Sequence, residues 1–402
     1  MRSRLLALVV AVVTALGLAL VPLTAAEAKK PAQHKGKPLT VMTRNLYLGA
    51  DINRPVVAAL QAQAAHPGNT PEDKAAVLDA LANATHYTRA IVDQTNFNVR
   101  ARLLAKEFKK TKPDLVGLQE VALWRHGPLQ LDQVGVPNAT EVDYDYLAIL
   151  LKALRKQGMH YQAVQVGDRA DVEAPSYTGS VSNGTVSSDA RDVRLTMRDV
   201  ILKRKNSGVK VLDTGNALYS HNLELTVAGV TFSFARGYNW VDVRHGSKKF
   251  RFINTHLEAF GSDYAYAQAQ ELLAAAPSPT RTNVLVCDCN SDPLNDTVIP
   301  GETHAHSAPY KLITQTGGFT DEWLRWKPAA QGWTSGLSEL VNDASPAGFN
   351  HRIDMVFARK AGGGGLRVDR GWVTGTKLKD RDPKTGLWPS DHGGVVLRLR
   401  GL

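Results

Sequence analysis

The feature that constrains this chain most is a recurrence: short, strongly apolar runs that each stop on a polar or acidic residue. LTVMTRN ends on Asn45, DLVGLQE on Glu120, FINTH on His256, and VLVCDCN on Asp288 and Asn290; Asp354 lies inside HRIDMVF, and Asp391 and His392 stand just before GGVVLRL. Runs of this length, rich in β-branched residues and bounded by turn formers, predict strands. A polar group buried alone at the end of such a strand costs free energy. Convergence of these strand ends on one pocket relieves that cost.

Between these runs the pattern turns helical in places. Residues 51–110 read as a helical insertion, with Thr70 as N-cap and Pro71 at the first helical position. Further helices are expected at about 144–157 and 264–276. Residues 168–192, rich in Ser, Asp, Gly and Thr, read as a mobile surface loop, and 362–365 is a glycine tetrad. From Leu195 several β-type runs follow closely and predict a mostly antiparallel meander. Strands from both halves alternating with helices predict an α/β (α+β) fold: two mixed sheets packed as a sandwich with helices on the outer faces.

The first residues carry Arg2 and Arg4, an apolar run from Leu5 to Val21, and Ala26-Glu27-Ala28 before Lys29. This is the layout of a cleaved secretory signal peptide over 1–28. Residues 29–38 then form a basic linker, and 39–402 form one domain. The expected location is extracellular. Processing lowers the formal charge of +10 by one unit, so the chain stays basic. A basic balance raises encounter rates with polyanions such as nucleic acid or anionic lipid without naming either. Cys287 and Cys289 are the only cysteines, so no disulfide framework is expected. They read as small buried hydrophobes on the strand face opposite Asp288 and Asn290, with an i, i+2 bridge expected to be strained.

The segments TRNLYLG, DLVGLQEV, FINTHLEA, VLVCDCNSDP, HRIDMVF and SDHGGVV resemble, in order and spacing, the endonuclease/exonuclease/phosphatase superfamily, the DNase I-like phosphoesterases. The resemblance runs from about Leu39 to the C-terminus, with the 51–110 insertion outside it. Where the family usually has Gly-Asp-Phe-Asn, this chain has Cys287-Asp288-Cys289-Asn290.

The resemblance implies a divalent cation held by Asn45, Glu120 and Asp391. Their oxygen donors suit Mg²⁺, with Mn²⁺ or Ca²⁺ as alternatives, better than zinc. It further implies that Asp288 orients or deprotonates the attacking water, that Asn290 holds the phosphate, that His256 donates to a non-bridging oxygen, and that His392 pairs with Asp354. Which of Asp288 and His392 is the base stays open. Arg236 is a candidate phosphate clamp.

The expected function is a secreted, monomeric, metal-dependent hydrolase of phosphodiester bonds with nucleic acid as first substrate. A sphingomyelinase-like or inositol-phosphate enzyme is the alternative, and the former would call for exposed aromatics near 232–240. An inactive polyanion-binding module is the reading from outside enzymology.

Other features have ordinary accounts: His304 and His306 in a polar loop as solvated, Tyr238 and Trp240 and the tryptophans 323, 326 and 333 as packing, Gln268 as support for the sheet, Asp51 as surface.

Overall fold

Alternation of apolar residues along the first strand sets the layering. In the computed structural model, which describes residues 37–402 apart from Asn69 and Ala228, Val41 points into one apolar cluster and Met42 into another. Both are fully buried, so this strand is covered on two faces. The expected signal peptide and nearly all of the expected linker lie outside the described residues.

The strands are β1 (Leu39–Asn45), β2 (Leu115–Gln119), β3 (Leu123–Pro128), β4 (Glu141–Asp145), β5 (Tyr161–Ser176) and β6 (Arg191–Arg204). Then come β7 (Val209–Leu218), β8 (Leu223–Val227), β9 (Val230–Phe234), β10 (Gly237–His245), β11 (Lys248–His256) and β12 (Thr282–Asp288). The last are β13 (Thr320–Asp321), β14 (Asp354–Arg359), β15 (Arg367–Thr374) and β16 (Gly394–Arg400).

One mixed sheet runs β15-β16-β1-β2-β6-β3-β4, with β5 also paired to β6, and the second runs β13-β14-β12-β11-β10-β7. The cluster between them holds Val41, Leu115, Val241, Phe252, Val284, Val286 and Val356. Fully burying a side chain of this size contributes about 1.5–3 kcal/mol. Gly117 lets the sheets approach: a Cβ there would lie 2.4 Å from both Asn254 Oδ1 and Val286 Cγ2.

The outer face of the first sheet is covered by α3 (Phe97–Thr111) and α4 (Tyr146–Lys156), and that of the second by α5 (Ser262–Ala275). The expected 51–110 excursion resolves into α1 (Asn53–Ala65), α2 (Pro71–Gln94) and α3. Thr70 caps α2 by accepting from Asp73 N, with Asp73 reaching back to Thr70. This reciprocal pair satisfies otherwise orphaned donors.

Three expectations need correction. Residues 168–176 are strand rather than loop, because β6 supplies a ladder partner from Asp168↔Arg198 to Ser176↔Arg191. The expected meander is split: β6 belongs to the first sheet, β8 and β9 form a hairpin of their own, and β7, β10 and β11 pair antiparallel in the second sheet. Cys287 and Cys289 form a disulfide rather than standing free. The strand ends at Asp288, the residue between them, and there the two Cα atoms come to 5.1 Å, within the range bridges span.

Candidate active site

Topology explains why the polar strand ends meet. β1 and β2 are parallel, as are β11 and β12, while β14 is antiparallel to β12 and β16 to β1. The C-terminal ends of the first four and the N-terminal ends of the last two therefore share one edge of the sandwich. Register completes the row: His256 faces Asp288 across one ladder, and Asp288 faces Asp354 across the next. Between the sheets, Gln119 Nε2 donates to Asn254 Oδ1 at 2.6 Å, and Asn254 Nδ2 donates to the Leu118 carbonyl at 3.0 Å.

Asn45 stands at the centre. Its Nδ2 donates to Glu120 Oε1 at 2.9 Å and to Asp288 Oδ2 at 2.8 Å, and its Oδ1 accepts the Tyr47 N–H. Glu120 has φ 54°, a conformation rare for a residue with a side chain, and its Oε2 accepts Leu48 N–H at 2.8 Å. Asp288 Oδ1 accepts the Asn290 N–H at 3.1 Å. Both Asp288 oxygens are thus fixed by neutral donors.

The two histidines end in opposite charge states. His256 is buried, and burial followed by the positive charge of Arg236 lowers its pKa well below 6.5. Arg236 Nη1 donates to its Nδ1 at 2.8 Å. A guanidinium only donates, so Nδ1 carries the lone pair and Nε2 the hydrogen. Asn290 Nδ2 lies 3.1 Å from that Nε2 and donates to the Leu257 carbonyl at 2.9 Å. Two N–H groups therefore stand side by side without an acceptor between them, which suits an anionic oxygen.

His392 is the reverse case. Burial pulls its pKa down, but the carboxylates of Asp354, Asp288 and Asp391 outweigh this and hold it well above 6.5. Its Nδ1 lies 2.8 Å from Asp354 Oδ2 and 3.7 Å from Asp288 Oδ2. Burial first, and then the Asp354 charge against that of His392, raise Asp288 to about 7. Burial likewise raises Asp391 to about 6, with Glu120 adding to it.

A cation fits this donor set. Glu120, His256 and Asp288 bring ligand atoms within 4.8 Å of one another, as do Asp288, Asp354 and His392. Asp354 Oδ1 is buried without a hydrogen-bond partner. An oxygen-rich group with crowded negative charge suits a hard divalent ion, which when bound polarises a phosphoryl oxygen. Of the expected ligands, Glu120 belongs to the first group and Asn45 bonds to it, and Asp391 has its Oδ1 3.9 Å from His392 Nε2 and feels the charge of Glu120. A prediction follows from the raised carboxyls. Adding Mg²⁺ to metal-free protein at pH 6 should release protons as bound cation replaces them, and the release should vanish by pH 9. Calorimetry in two buffers of different ionisation enthalpy reads it directly; equal release at both pH values would contradict it.

Arg236 spends its guanidinium on His256, Glu258 and Met197 Sδ, so its contacts are with the residues that orient His256. Several further residues that hold the site drew no attention in the sequence. Arg44, fully buried, pairs with Glu107 at 3.0 Å and donates to the His392 carbonyl. Arg100 donates to the carbonyls of Leu46 at 2.6 Å and Tyr47 at 3.0 Å, fixing the turn after Asn45. Thr334 Oγ accepts the Asp354 N–H at 3.2 Å. An arginine on a strand or helix reads as a solvated charge, and only its position in an apolar run signals otherwise.

The residues set aside stay outside the site. His304 pairs with Asp263 at 2.6 Å and stacks on Tyr266, and His306 Nδ1 accepts the Asp292 N–H. Gln268 Oε1 accepts the Glu258 N–H. Asp51 is exposed.

The sandwich with this edge defines a phosphoesterase site, and comparison with known proteins names the class. The sequence model described as Endonuclease/Exonuclease/phosphatase family matches residues 93–392, and the chain belongs to that family. Its members are metal-dependent phosphoesterases, and this chain is an enzyme of that kind. Among solved structures it is similar to an endonuclease/exonuclease/phosphatase family protein of Bacteroides thetaiotaomicron, with 17% identity over 91% of this chain and 99% of that one, TM-score 0.49. It is also similar to a mannosyl-6-phosphatase of the same species, with 16% identity, coverage of 90% and 99%, and TM-score 0.48. A third is D. rerio TDP2 complexed with single-strand DNA product, with 15% identity, coverage of 91% and 100%, and TM-score 0.48. No curated protein matches the chain.

Proposed function

We propose that this enzyme is a secreted, Mg²⁺-dependent phosphodiesterase whose substrate is nucleic acid. The observation that carries the phosphodiester reading is the pair of N–H donors set side by side, His256 Nε2–H and the Asn290 amide that also donates to the Leu257 carbonyl, beside a carboxylate whose pKa is near 7. Both groups donate to a non-bridging phosphoryl oxygen. Asp288, held by Asn45 and the Asn290 backbone, takes the proton of the attacking water. A group with a pKa near the working pH suits that task. His392 is held protonated by Asp354 and serves as a donor to the phosphate rather than as the base. The choice of nucleic acid rests on the formal charge of +10 and on the export signal read at the N-terminus.

The phospholipid alternative required exposed aromatics near 232–240. Phe232, Phe234 and Tyr238 are buried, and Trp240 lies beneath Arg251 at 3.6 Å. A panel of DNA, sphingomyelin and a chromogenic phosphodiester, with and without EDTA, tests the proposal. Hydrolysis of DNA and of the chromogenic diester that stops with EDTA and returns with Mg²⁺ is expected. Turnover of sphingomyelin alone would replace nucleic acid as the substrate, and no turnover with Mg²⁺, Mn²⁺ or Ca²⁺ would favour a binding module.

A further inference from the structure

The tryptophan tract DEWLRWKPAAQGW, which the active site leaves unused, opens on the surface rather than only packing a core. A groove of about 480 Å³ is lined by Trp323, Trp333, Phe349 and Trp372 together with Lys327 and Lys377. Trp333 is 38% exposed within it. The Lys327 ammonium sits 4.6 Å from the centre of the Trp326 ring. Trp372, Val373 and Lys377 also line a second pocket, of about 140 Å³, so the two depressions share a wall. That pocket adds Lys106, Lys110, Lys379 and Arg381 against the carboxylates of Asp380 and Glu107, and Glu107 is already paired with Arg44. Among the described residues none of Lys106, Lys110, Lys327, Lys377 and Lys379 takes part in an ion pair. The groove borders the catalytic machinery from behind: Thr334, next to Trp333, holds the Asp354 N–H, and Pro389, which lines the second pocket, precedes Asp391 by two residues.

An exposed aromatic face at Trp333, with the half-buried Trp372 beside it, and ammonium groups that no carboxylate pairs are what an unpaired nucleic-acid strand requires. Each base offers a face to stack and each phosphate a charge to neutralise. A duplex keeps its bases stacked on one another and cannot use the tryptophans. A membrane would need the aromatics to project from a convex surface, whereas here they line the walls of a cleft.

We propose that this groove is an exosite for single-stranded nucleic acid, which holds the strand on the flank of the sandwich while hydrolysis takes place at the edge. The inference rests on the nucleic-acid reading of the active site and adds a second place of contact to it.

Fluorescence anisotropy of a labelled oligothymidylate of about 15 nucleotides, measured on the full exported chain in EDTA so that nothing is cleaved, tests it. Lys327→Glu/Lys377→Glu and Lys106→Glu/Lys110→Glu should each weaken binding about tenfold or more and lower its salt dependence. Trp333→Ala should weaken it roughly fivefold with the salt dependence unchanged. Arginine at the four lysine positions should restore binding. A duplex of the same length should be insensitive to Trp333→Ala, and turnover of the small chromogenic diester with Mg²⁺ should stay within about twofold in all variants, since none of these residues touches the reacting phosphate.

Parental affinity in both charge-reversed pairs would overturn the proposal. So would equal losses for single strand and duplex in Trp333→Ala, or loss of binding to phosphatidylserine vesicles in variants of a protein that ignores the oligonucleotide. The two readings fail separately. If the parent does not cleave DNA yet the variants lose the oligonucleotide, the substrate assignment falls and the groove stands. If the parent cleaves DNA and the variants bind it undiminished, only the groove falls.

Discussion

Asp288→Asn is expected to lower kcat by roughly 10²- to 10⁴-fold, the range that a positioned proton acceptor contributes, with the fold intact by circular dichroism. The amide keeps the shape but offers one oxygen to the two donors, Asn45 Nδ2 and the Asn290 N–H, so one of them loses its acceptor along with the proton acceptor of the reaction. Metal-free stability should not fall with it. Burial raises Asp288 to about 7, so above that pH the folded protein carries a desolvated charge that asparagine removes. A thermal midpoint at pH 8 equal to or above the parent's is the expected companion result.

Asp354→Asn gives the second half of the test. In the proposed mechanism His392 is the charged donor, so its contribution should be lost as pH rises through its folded pKa, which Asp354 holds well above 6.5. Removing that carboxylate lowers the pKa, so the alkaline limb of the kcat profile should move to lower pH. An unmoved limb would show that His392 is not the titrating donor, and near-parental turnover in Asp288→Asn would remove Asp288 as the base.

The largest stability effect is expected away from the reacting atoms, in Arg44→Met. Arg44 and Glu107 are buried together, and Thr374 Oγ also donates to Glu107 at 2.7 Å. Removing the guanidinium leaves a buried carboxylate without its partner, a change that costs about 3–5 kcal/mol. Urea unfolding should show it as a lowered midpoint with an unchanged slope. The double variant Arg44→Met/Glu107→Leu should recover most of the loss, because two apolar side chains replace both charges. Activity should not recover in parallel, since the Arg44 guanidinium also donates to the His392 carbonyl. Full recovery of both stability and kcat would mean that Arg44 serves the fold alone.

Much of the fold was legible because its signals are local. The apolar run LTVMTRN announced β1, and Thr70-Pro71 announced the start of α2. Residues 168–176 were misread for the converse reason: they are polar, and what makes them a strand is the partner β6 more than twenty positions away in places. The disulfide escaped notice because its geometry depends on the backbone at Asp288, where β12 stops, which an i, i+2 spacing does not reveal.

The sequence by itself determined the inventory of the site. Asn45, Glu120, His256, Asp288, Asn290, Asp354, Asp391 and His392 stand at ends of apolar strands where lone polar groups are costly, and that cost is visible residue by residue. Only the tertiary structure decided their roles. Which histidine is neutral depends on Arg236 behind one and three carboxylates around the other, and these charges come from strands and loops remote in sequence. Electrostatic energy varies with distance through space, not along the chain. The same holds for the groove on the flank, where Trp372 comes to share one pocket with Lys106 and another with Trp333 only once α3, β15 and the tryptophan tract are folded together.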